Sequence, residues 1–547
     1  MVAAHGRGRP LQERSKQNYL HGAAILTAGV IITKILGAIY KIPLGNILGD
    51  EGYAHFMVAY SIYNVFLTLS TAGLPVALSR MISVADTLNR PMQMRRTFHV
   101  AFVAFACIGL LSSLAMFLYP TELAAAMNDV EAAQSIWALS PAMFLVCMTS
   151  AYKGYAQGQS NMKPTTVSQV LDVLAKTIVG LTLAWYFTRI GKSLPIASAG
   201  AIFGVTAGSV AALIYIVIYK HRHYPEYAVS NPDVPESAGR ILGTLLRIGI
   251  PITLGSCVLS LINLIDAQLV LNRLQTAAGF SYYDAKVLYG IYGKVQTLYN
   301  LPGAFIVPLT ISIIPSITSL VVREKHDEAG EVAESALRIS GVISLPMGIG
   351  LTVLAYPIVN VVYRGSNAAG PGLLALLGVA AIFVCLAQMT TAVLQATGNE
   401  LYPILSMVTG GVVKVLVNWF LVADPAVNIH GAPIGTLACY LVMCAMNCAF
   451  LRARLRRAPR VVRVLLRPAA SALVMGAAAW CAYHALAAAL GGAAALSWRA
   501  LAAVMLAAIV AAAAVYAAAV SLTRAVTAED LKLIPRGEKM AKWLHIR

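Results

Sequence analysis

The groups in this chain with reactive or ligand-binding character stand inside long apolar runs. The basic ones are Lys34, Lys41, Arg80, Lys153, Lys176, Arg247, Lys286, Lys294 and Lys414, and the acidic ones are Asp172 and Asp266. A charged group near the centre of a bilayer is unfavourable by roughly 2.5–3.5 kcal/mol, so each is a functional candidate. The excess is cationic. Lysine holds phosphate as a point charge, and this set therefore favours an anionic, phosphate-bearing ligand. Enzyme chemistry has no support: no HExxH, GxSxG, Walker A or Asp-rich diphosphate motif is present. The sequence shows no cofactor site and no metal set. The eight cysteines fall in apolar runs without a C-x-x-C pair, and Cys444 and Cys448 share a helix face but lack His or acidic neighbours.

Spacing ranks the candidates. Lys34 and Lys41 are seven apart and share a helix face. Asp266 continues a polar stripe with Ser260 and Asn263, Lys294 one with Thr297, and Asn64 one with Thr68 and Thr71. These stripes are expected to face one cavity, with Lys34, Lys41, Asn64, Asn263, Asp266, Lys294 and Thr297 as its binding residues. The competing expectation is structural ion pairing, for example Lys34 with Asp266. Arg80, Lys153, Arg247 and Lys286 lie near the ends of runs, where long side chains reach the interface. Asp172 and Lys176 are spaced to pair on one helix. The repeat places Gly410 opposite Asp172, so Lys414 is expected to lack such a partner.

The elements that position these residues are transmembrane helices. Hydrophobic residues make up 59% of the 547-residue chain and charged ones 12%, with mean hydropathy +0.72. About fourteen apolar runs of bilayer-crossing length recur, at roughly 22–45, 54–85, 98–119, 134–157, 165–188, 196–219, 244–272, 285–320, 339–361, 372–396, 402–422, 432–451, 468–490 and 499–522. The first six echo in the next six. Ser61-Ile-Tyr-Asn64 returns as Thr297-Leu-Tyr-Asn300, and Gln157-Gly-Gln-Ser-Asn161 as Gln395-Ala-Thr-Gly-Asn399. The offset changes once, from 226 to 236–238, which one ten-residue insertion explains.

The expected fold is an all-α polytopic membrane protein with two pseudo-symmetric six-helix bundles and two added helices. Repeats of this kind suit alternating access, with the ligand between the halves. The expected organisation is a mobile basic tail (1–21), the first bundle (22–219), a proline-rich linker (220–243), the second bundle (244–451), a basic loop (452–467), two alanine-rich helices (468–522) and an amphipathic tail (523–547). Gly37, Pro43, Gly73, Pro75, Pro251, Pro302, Pro308, Pro315 and Pro346 mark expected bends.

Charge sets orientation. Roughly 27 of the 41 lysines and arginines fall on one set of alternate loops, which the positive-inside rule makes cytoplasmic. Both termini are then cytoplasmic, and the acidic loop with Glu122, Asp129 and Glu131 lies outside. The net charge of +18 is read as topological, touching anionic lipid rather than nucleic acid. The basic start lacks a signal-peptide pattern.

Lys34-Ile-Leu-Gly-Ala-Ile-Tyr-Lys-Ile-Pro-Leu-Gly-Asn-Ile-Leu-Gly-Asp-Glu-Gly52, Tyr60-Ser-Ile-Tyr-Asn64 and Leu69-Ser-Thr-Ala-Gly-Leu-Pro-Val-Ala-Leu-Ser-Arg80 resemble the stage V sporulation protein B family. Leu298-Tyr-Asn-Leu-Pro302 and Glu529-Asp-Leu-Lys-Leu-Ile-Pro-Arg-Gly537 fit it too. This is the polysaccharide-transport branch that includes MurJ-type lipid II flippases. The resemblance implies a multidrug/oligosaccharidyl-lipid/polysaccharide exporter fold in the bacterial cytoplasmic membrane. It implies flipping of an undecaprenyl-diphosphate-linked glycan, with the lipid tail near the last two helices. Lys34 fills the family's first-helix basic position. The arginines of the pattern's second and eighth helices are replaced here by Leu67 or Thr68 and by Thr297, which makes Lys294, one turn earlier, the candidate substitute. A coupling ion (Na+ or H+) or the membrane potential would drive the cycle, and cell-wall synthesis machinery is an expected partner. The rivals are export of another polysaccharide precursor and a cation-coupled multidrug antiporter of the same fold, which needs acidic residues for its ion.

Overall fold

The computed structural model of the protein describes residues 11–223, 233–365, 367–399, 401–455, 459–492 and 496–526. For residues 11–27, 259, 311 and 312 it describes the backbone alone. Among the described residues there are seventeen α-helices, two short 3-10 turns and no strand. In a bilayer every backbone N–H and C=O must be satisfied within the segment, which long apolar sequences achieve as helices.

Thirteen helical stretches are long and apolar enough to cross a membrane. One of them, Ala28–Thr87, has 60 residues and would reach about 90 Å if straight, three times a hydrocarbon core. It folds back instead. Gly49 adopts φ 70°, ψ −171°, a backbone that side chains other than glycine disfavour. The ring centroids of Tyr40 and Phe56 are 6.0 Å apart, and Lys41 Nζ lies 5.3 Å from the Tyr60 ring. Sixteen residues of continuous helix would separate the first pair by about 24 Å. The stretch is therefore two crossings, and the described residues make fourteen in all. In the second half the same reversal uses the loop after Ala238–Thr276, where Gly279 has φ 75°, before helix Tyr282–Tyr299 starts.

The runs at 54–85 and 285–320, each long for a single straight crossing, are broken. The second crossing is interrupted at Gly73, before helix Leu74–Thr87, and the eighth at Asn300, before helix Leu301–Val322. Pro75 and Pro302 occupy the first turn of the new helix in each case, a position where proline's missing N–H does no harm. Pro43, Pro251, Pro308, Pro315 and Pro346 lie within continuous helices. Gly73 also serves contact between the halves: a Cβ there would stand 2.0 Å from the Gly249 carbonyl oxygen.

Three expectations about the flanks change. Residues 11–20, expected as part of a mobile tail, continue the first helix, while 1–10 lie outside the described residues. In the linker, 220–223 finish helix Leu194–His223, 224–232 lie outside the description, and Asp233 accepts bonds from the Met92 and Gln93 amides at 2.8 and 2.9 Å. It thereby caps helix Pro91–Leu118. Of the 452–467 loop, 456–458 lie outside the description and helix Val461–Ala489 has already begun at its end. The amphipathic tail expected after 526 lies outside the described residues.

The last two helices, Val461–Ala489 and Trp498–Thr523, pack on each other and against the second half through Leu354, Met475, Ala479, Tyr483, Val504 and Ala508. Their alanines allow the close approach that drives helix association in lipid. Polar anchors also hold them. Trp498 Nε1 donates to the Val361 carbonyl at 3.0 Å, the Tyr516 hydroxyl to the Val342 carbonyl at 2.7 Å, and Ser471 and Thr523 bond at 2.9 Å.

Candidate functional site

Two polar regions lie between and within the halves. The first is a cluster built on the first, fourth and fifth crossings. Lys41 projects from the arm before Gly49 toward Tyr60 and lies within electrostatic range of Lys34 and Lys176. Lys176, on helix Lys163–Arg189, sits 5.5 Å from the Tyr40 ring. Asp172, one turn earlier, feels Lys176 and Lys153, yet its Oδ1 is buried without a hydrogen bond. The expected Asp172–Lys176 ion pair is thus not formed within 4 Å. Among the described residues no acidic group pairs with Lys34, Lys41, Lys153 or Lys176. Four cations with one nearby carboxylate keep a net positive field, which an anionic ligand would neutralise.

On the first arm Tyr40, Leu44 and Leu48 are buried, whereas Ile31, Ile32, Lys34, Ile35 and Ile39 are exposed. Lys34 is thus exposed and Lys41 half-buried.

The second region is a seam joining the halves. Near Gly49 it is charged. Lys294 Nζ lies 2.5 Å from Asp50 Oδ1, and the Asn367 amide donates to Asp50 Oδ2 at 3.0 Å. Asn46 donates to the Val362 carbonyl at 2.8 Å and accepts from the Arg364 amide at 3.0 Å. Lys286 binds Glu131 and lies 3.4 Å from Glu51. The Tyr53 and Thr297 hydroxyls bond at 3.2 Å. Burial first, and then the Asp129 carboxylate, raise the Tyr282 phenol above its ordinary pKa, so it remains a donor to Asp129, at 3.3 Å. Further along, the seam is neutral: Thr68 and Ser260 hydroxyls bond at 2.8 Å, and the Gly73 amide donates to Thr253 Oγ1 at 3.2 Å.

The polar stripes of the second and seventh helices do meet, at Thr68 and Ser260. Asn64 is half-buried and Asn263 exposed. Asp266 does not join them. It turns into the second half, where Lys414 Nζ lies 2.7 Å from its Oδ2 and the Asn418 amide binds its Oδ1. This corrects two expectations: Lys414 has a partner, and Asp266 is not paired with Lys34. Lys294 is likewise buried against Asp50 instead of standing free in a cavity, with Thr297 buried nearby. Arg80 and Arg247 are exposed, as residues reaching an interface should be.

Sequence reasoning missed Asp50, Glu51, His55, Asp129, Glu131 and Asn418. A signal existed for His55: it is titratable and lies inside the second apolar run, which the rule applied to lysine and aspartate would have flagged.

Comparison with known proteins places this geometry. The chain is 29% identical to the uncharacterized membrane protein YabM of Bacillus subtilis, covering 83% of this chain and 84% of that one. It is 25% identical to stage V sporulation protein B of the same organism (80% and 84%) and 23% identical to its lipid II flippase MurJ (73% and 76%). Among solved structures, MurJ in an inward closed conformation superposes with TM-score 0.67 at 13% identity, over 91% of this chain and 98% of that one. An inward-facing multidrug resistance MATE transporter of the MOP superfamily superposes with TM-score 0.63 at 16% identity, over 79% and 98%. The fold is theirs, and the chain is a multi-pass bacterial membrane protein. The family model described as polysaccharide biosynthesis protein matches residues 19–321, more than half of the chain, and the chain belongs to that family.

Proposed function

We propose that this protein is a flippase that moves an undecaprenyl-diphosphate-linked glycan, the peptidoglycan precursor lipid II, across the cytoplasmic membrane by alternating access. The observation that carries the reading is the lysine cluster. Lys34, Lys41 and Lys176 lie together with no acidic partner at ion-pair distance. A diphosphate supplies the missing negative charge. The relative named as a lipid II flippase supports the cargo class.

In this reading residues 22–219 and 244–451 rock against each other about the 220–243 linker. The seam near Gly49 is the outer gate, and both termini are cytoplasmic, as the basic loops indicate. Lys34 meets the diphosphate first and Lys41 and Lys176 hold it. Helices 468–522 flank the polyprenyl tail, which stays in hydrocarbon. A coupling ion or the membrane potential resets the cycle, and cell-wall synthesis enzymes consume the product.

Depletion of the protein, with measurement of lipid-linked precursors on each leaflet, tests the reading. Lipid II should accumulate on the inner leaflet. Accumulation of a different polyprenyl-linked glycan would reassign the cargo, and no accumulation would remove the flippase reading. One observation favours a second reading, a cation-coupled multidrug antiporter: the Asp172 Oδ1 atom, buried without a donor, could take a proton or Na+. Drug-resistance phenotypes abolished by Asp172→Asn would support it.

A further inference from the structure

At the outer end of the seam one cluster has features that ion pairing between the halves does not require. Glu51, His55 and Glu131 each offer a ligand atom, and these atoms all lie within 4.8 Å of one another. His55 is fully buried, and its Nδ1 contacts both carboxylate oxygens of Asp129, at 2.9 and 2.7 Å. A carboxylate there holds a proton on Nδ1, and in the neutral ring Nε2 then presents its lone pair. That lone pair has no hydrogen-bond partner and lies 3.6 Å from Glu131 Oε2. A histidine oriented from behind by a carboxylate, with its other nitrogen free, is the arrangement that metal-binding histidines use.

The ammonium of Lys286 sits on this cluster, bound to Glu131, 3.4 Å from Glu51 and 4.3 Å from the Tyr282 ring centroid. The three ligand residues and Asp129 belong to the first half, whereas Lys286 belongs to the second. Parting of the halves on this face removes the ammonium and leaves the ligand set intact. Glu51, Asp129 and Glu131 then carry three negative charges around one imidazole, a field that demands a replacement cation.

We propose that Glu51, His55 and Glu131 form a divalent-cation site of the zinc and manganese class, with Lys286 as a tethered competitor that fills it when the halves are closed. One imidazole nitrogen with two carboxylates suits those ions, while calcium and magnesium favour oxygen-only sets. An external cation holds the outer face open, and closure by Lys286 expels it. The proposal rests on alternating access but not on the identity of the cargo.

The test uses the purified full-length protein and Mn2+, whose free-ion EPR signal falls on binding. Lys286→Met should bind Mn2+ at least tenfold more tightly than the parent, and adding His55→Gln to that variant should return binding to the parent level. Equal affinity of Lys286→Met and parent, or tightening that survives loss of His55, overturns the site. If Lys286→Met fails to elute as a folded species, the parent scaffold supplies the answer. The Asn367→Cys variant, across the seam, should be labelled several-fold faster at that position from outside when Mn2+ is added, and unchanged labelling up to millimolar Mn2+ overturns the proposal. Neither arm involves lipid transport, so its failure and that of the flippase reading are distinguishable.

Discussion

Lys176 and Lys414 occupy equivalent positions in the two halves and live in opposite surroundings. Lys414 is sealed in the second half, with Asp266 at 2.7 Å and Asn418 bonded to the same carboxylate. Lys176 faces a tyrosine ring, with Lys41 nearby and an aspartate that does not reach it. The same duplicated scaffold has neutralised one lysine and left the other with its charge uncompensated. A buried pair is a poor source of net stability but a strict structural commitment, because removing one partner strands the other. An uncompensated cation in a cleft is the better ligand site. In the proposed cycle this asymmetry divides the labour: the second half braces, and the first half binds.

The largest effect expected from this contrast is on stability. Asp266→Ala should destabilise the protein by about 3–5 kcal/mol, since it leaves the Lys414 ammonium buried and unpaired. Thermal unfolding in detergent should drop sharply, and Asp266→Ala combined with Lys414→Met should recover most of the loss. In the first half Lys176→Met should shift stability by less than about 1 kcal/mol, because no ion pair is broken. Similar losses in the two halves would erase the distinction.

Activity should show the reverse order. Lys34→Ala and Lys176→Met should each reduce flipping of the lipid-linked glycan at least tenfold, about 1.4 kcal/mol or more of binding, with membrane abundance near normal. Lys34→Arg should retain part of the activity, since it keeps the charge but replaces a point charge with a planar fork. Protein that disappears from the membrane in these variants would mark the lysines as structural.

A smaller shift is expected at the seam, where charged and neutral ends can be compared. Lys294→Met removes the link to Asp50 and should move the halves toward the outward-open state by about 1–2 kcal/mol, five- to thirtyfold in population. Cysteine labelling from outside reads this directly. Thr68→Ala, at the neutral end, removes a hydroxyl pair worth about 1 kcal/mol at most and should change labelling less. A larger response at Thr68 would place the gate at the wrong end.

The chain's periodicity carried the architecture further than it carried the contacts. Fourteen crossings, the repeat and the interruptions near Gly73 and Pro302 were all legible, because length, apolarity and proline act locally. The meeting of the Thr68 and Ser260 stripes followed from helix faces. Partner choice did not. Asp266 and Lys414 are 148 positions apart, and which of them meets depends on how two helices rotate about their axes, which periodicity does not fix. Gly410, one turn from Lys414, offers no partner, and the carboxylate comes from a helix packed alongside. Asp50 and Asp129 were missed for a related reason: they lie at a reversal and in a loop, where an acidic residue reads as solvated until the opposite half is in place.

The smallest expected effect concerns the added helices, which have no counterpart in either half. Their alanines could serve close packing, a smooth path for a lipid tail, or both. The polar anchors at Trp498 and Tyr516 show that packing is part of their task. A tail that stays in hydrocarbon avoids about 0.8 kcal/mol of unfavourable hydration per methylene, so in the proposed cycle a long polyprenyl chain travels beside the protein while its headgroup crosses within it. Ala478 and Ala511 are partly exposed on this pair and accept a larger side chain without emptying a core. Ala478→Trp and Ala511→Trp should slow flipping of long-chain substrates a few-fold more than of short-chain analogues in proteoliposomes, with thermal stability nearly unchanged. Equal slowing for both chain lengths would assign the pair to bracing alone and would leave the first half's lysines, with no tail groove beside them, as the substrate's main contact.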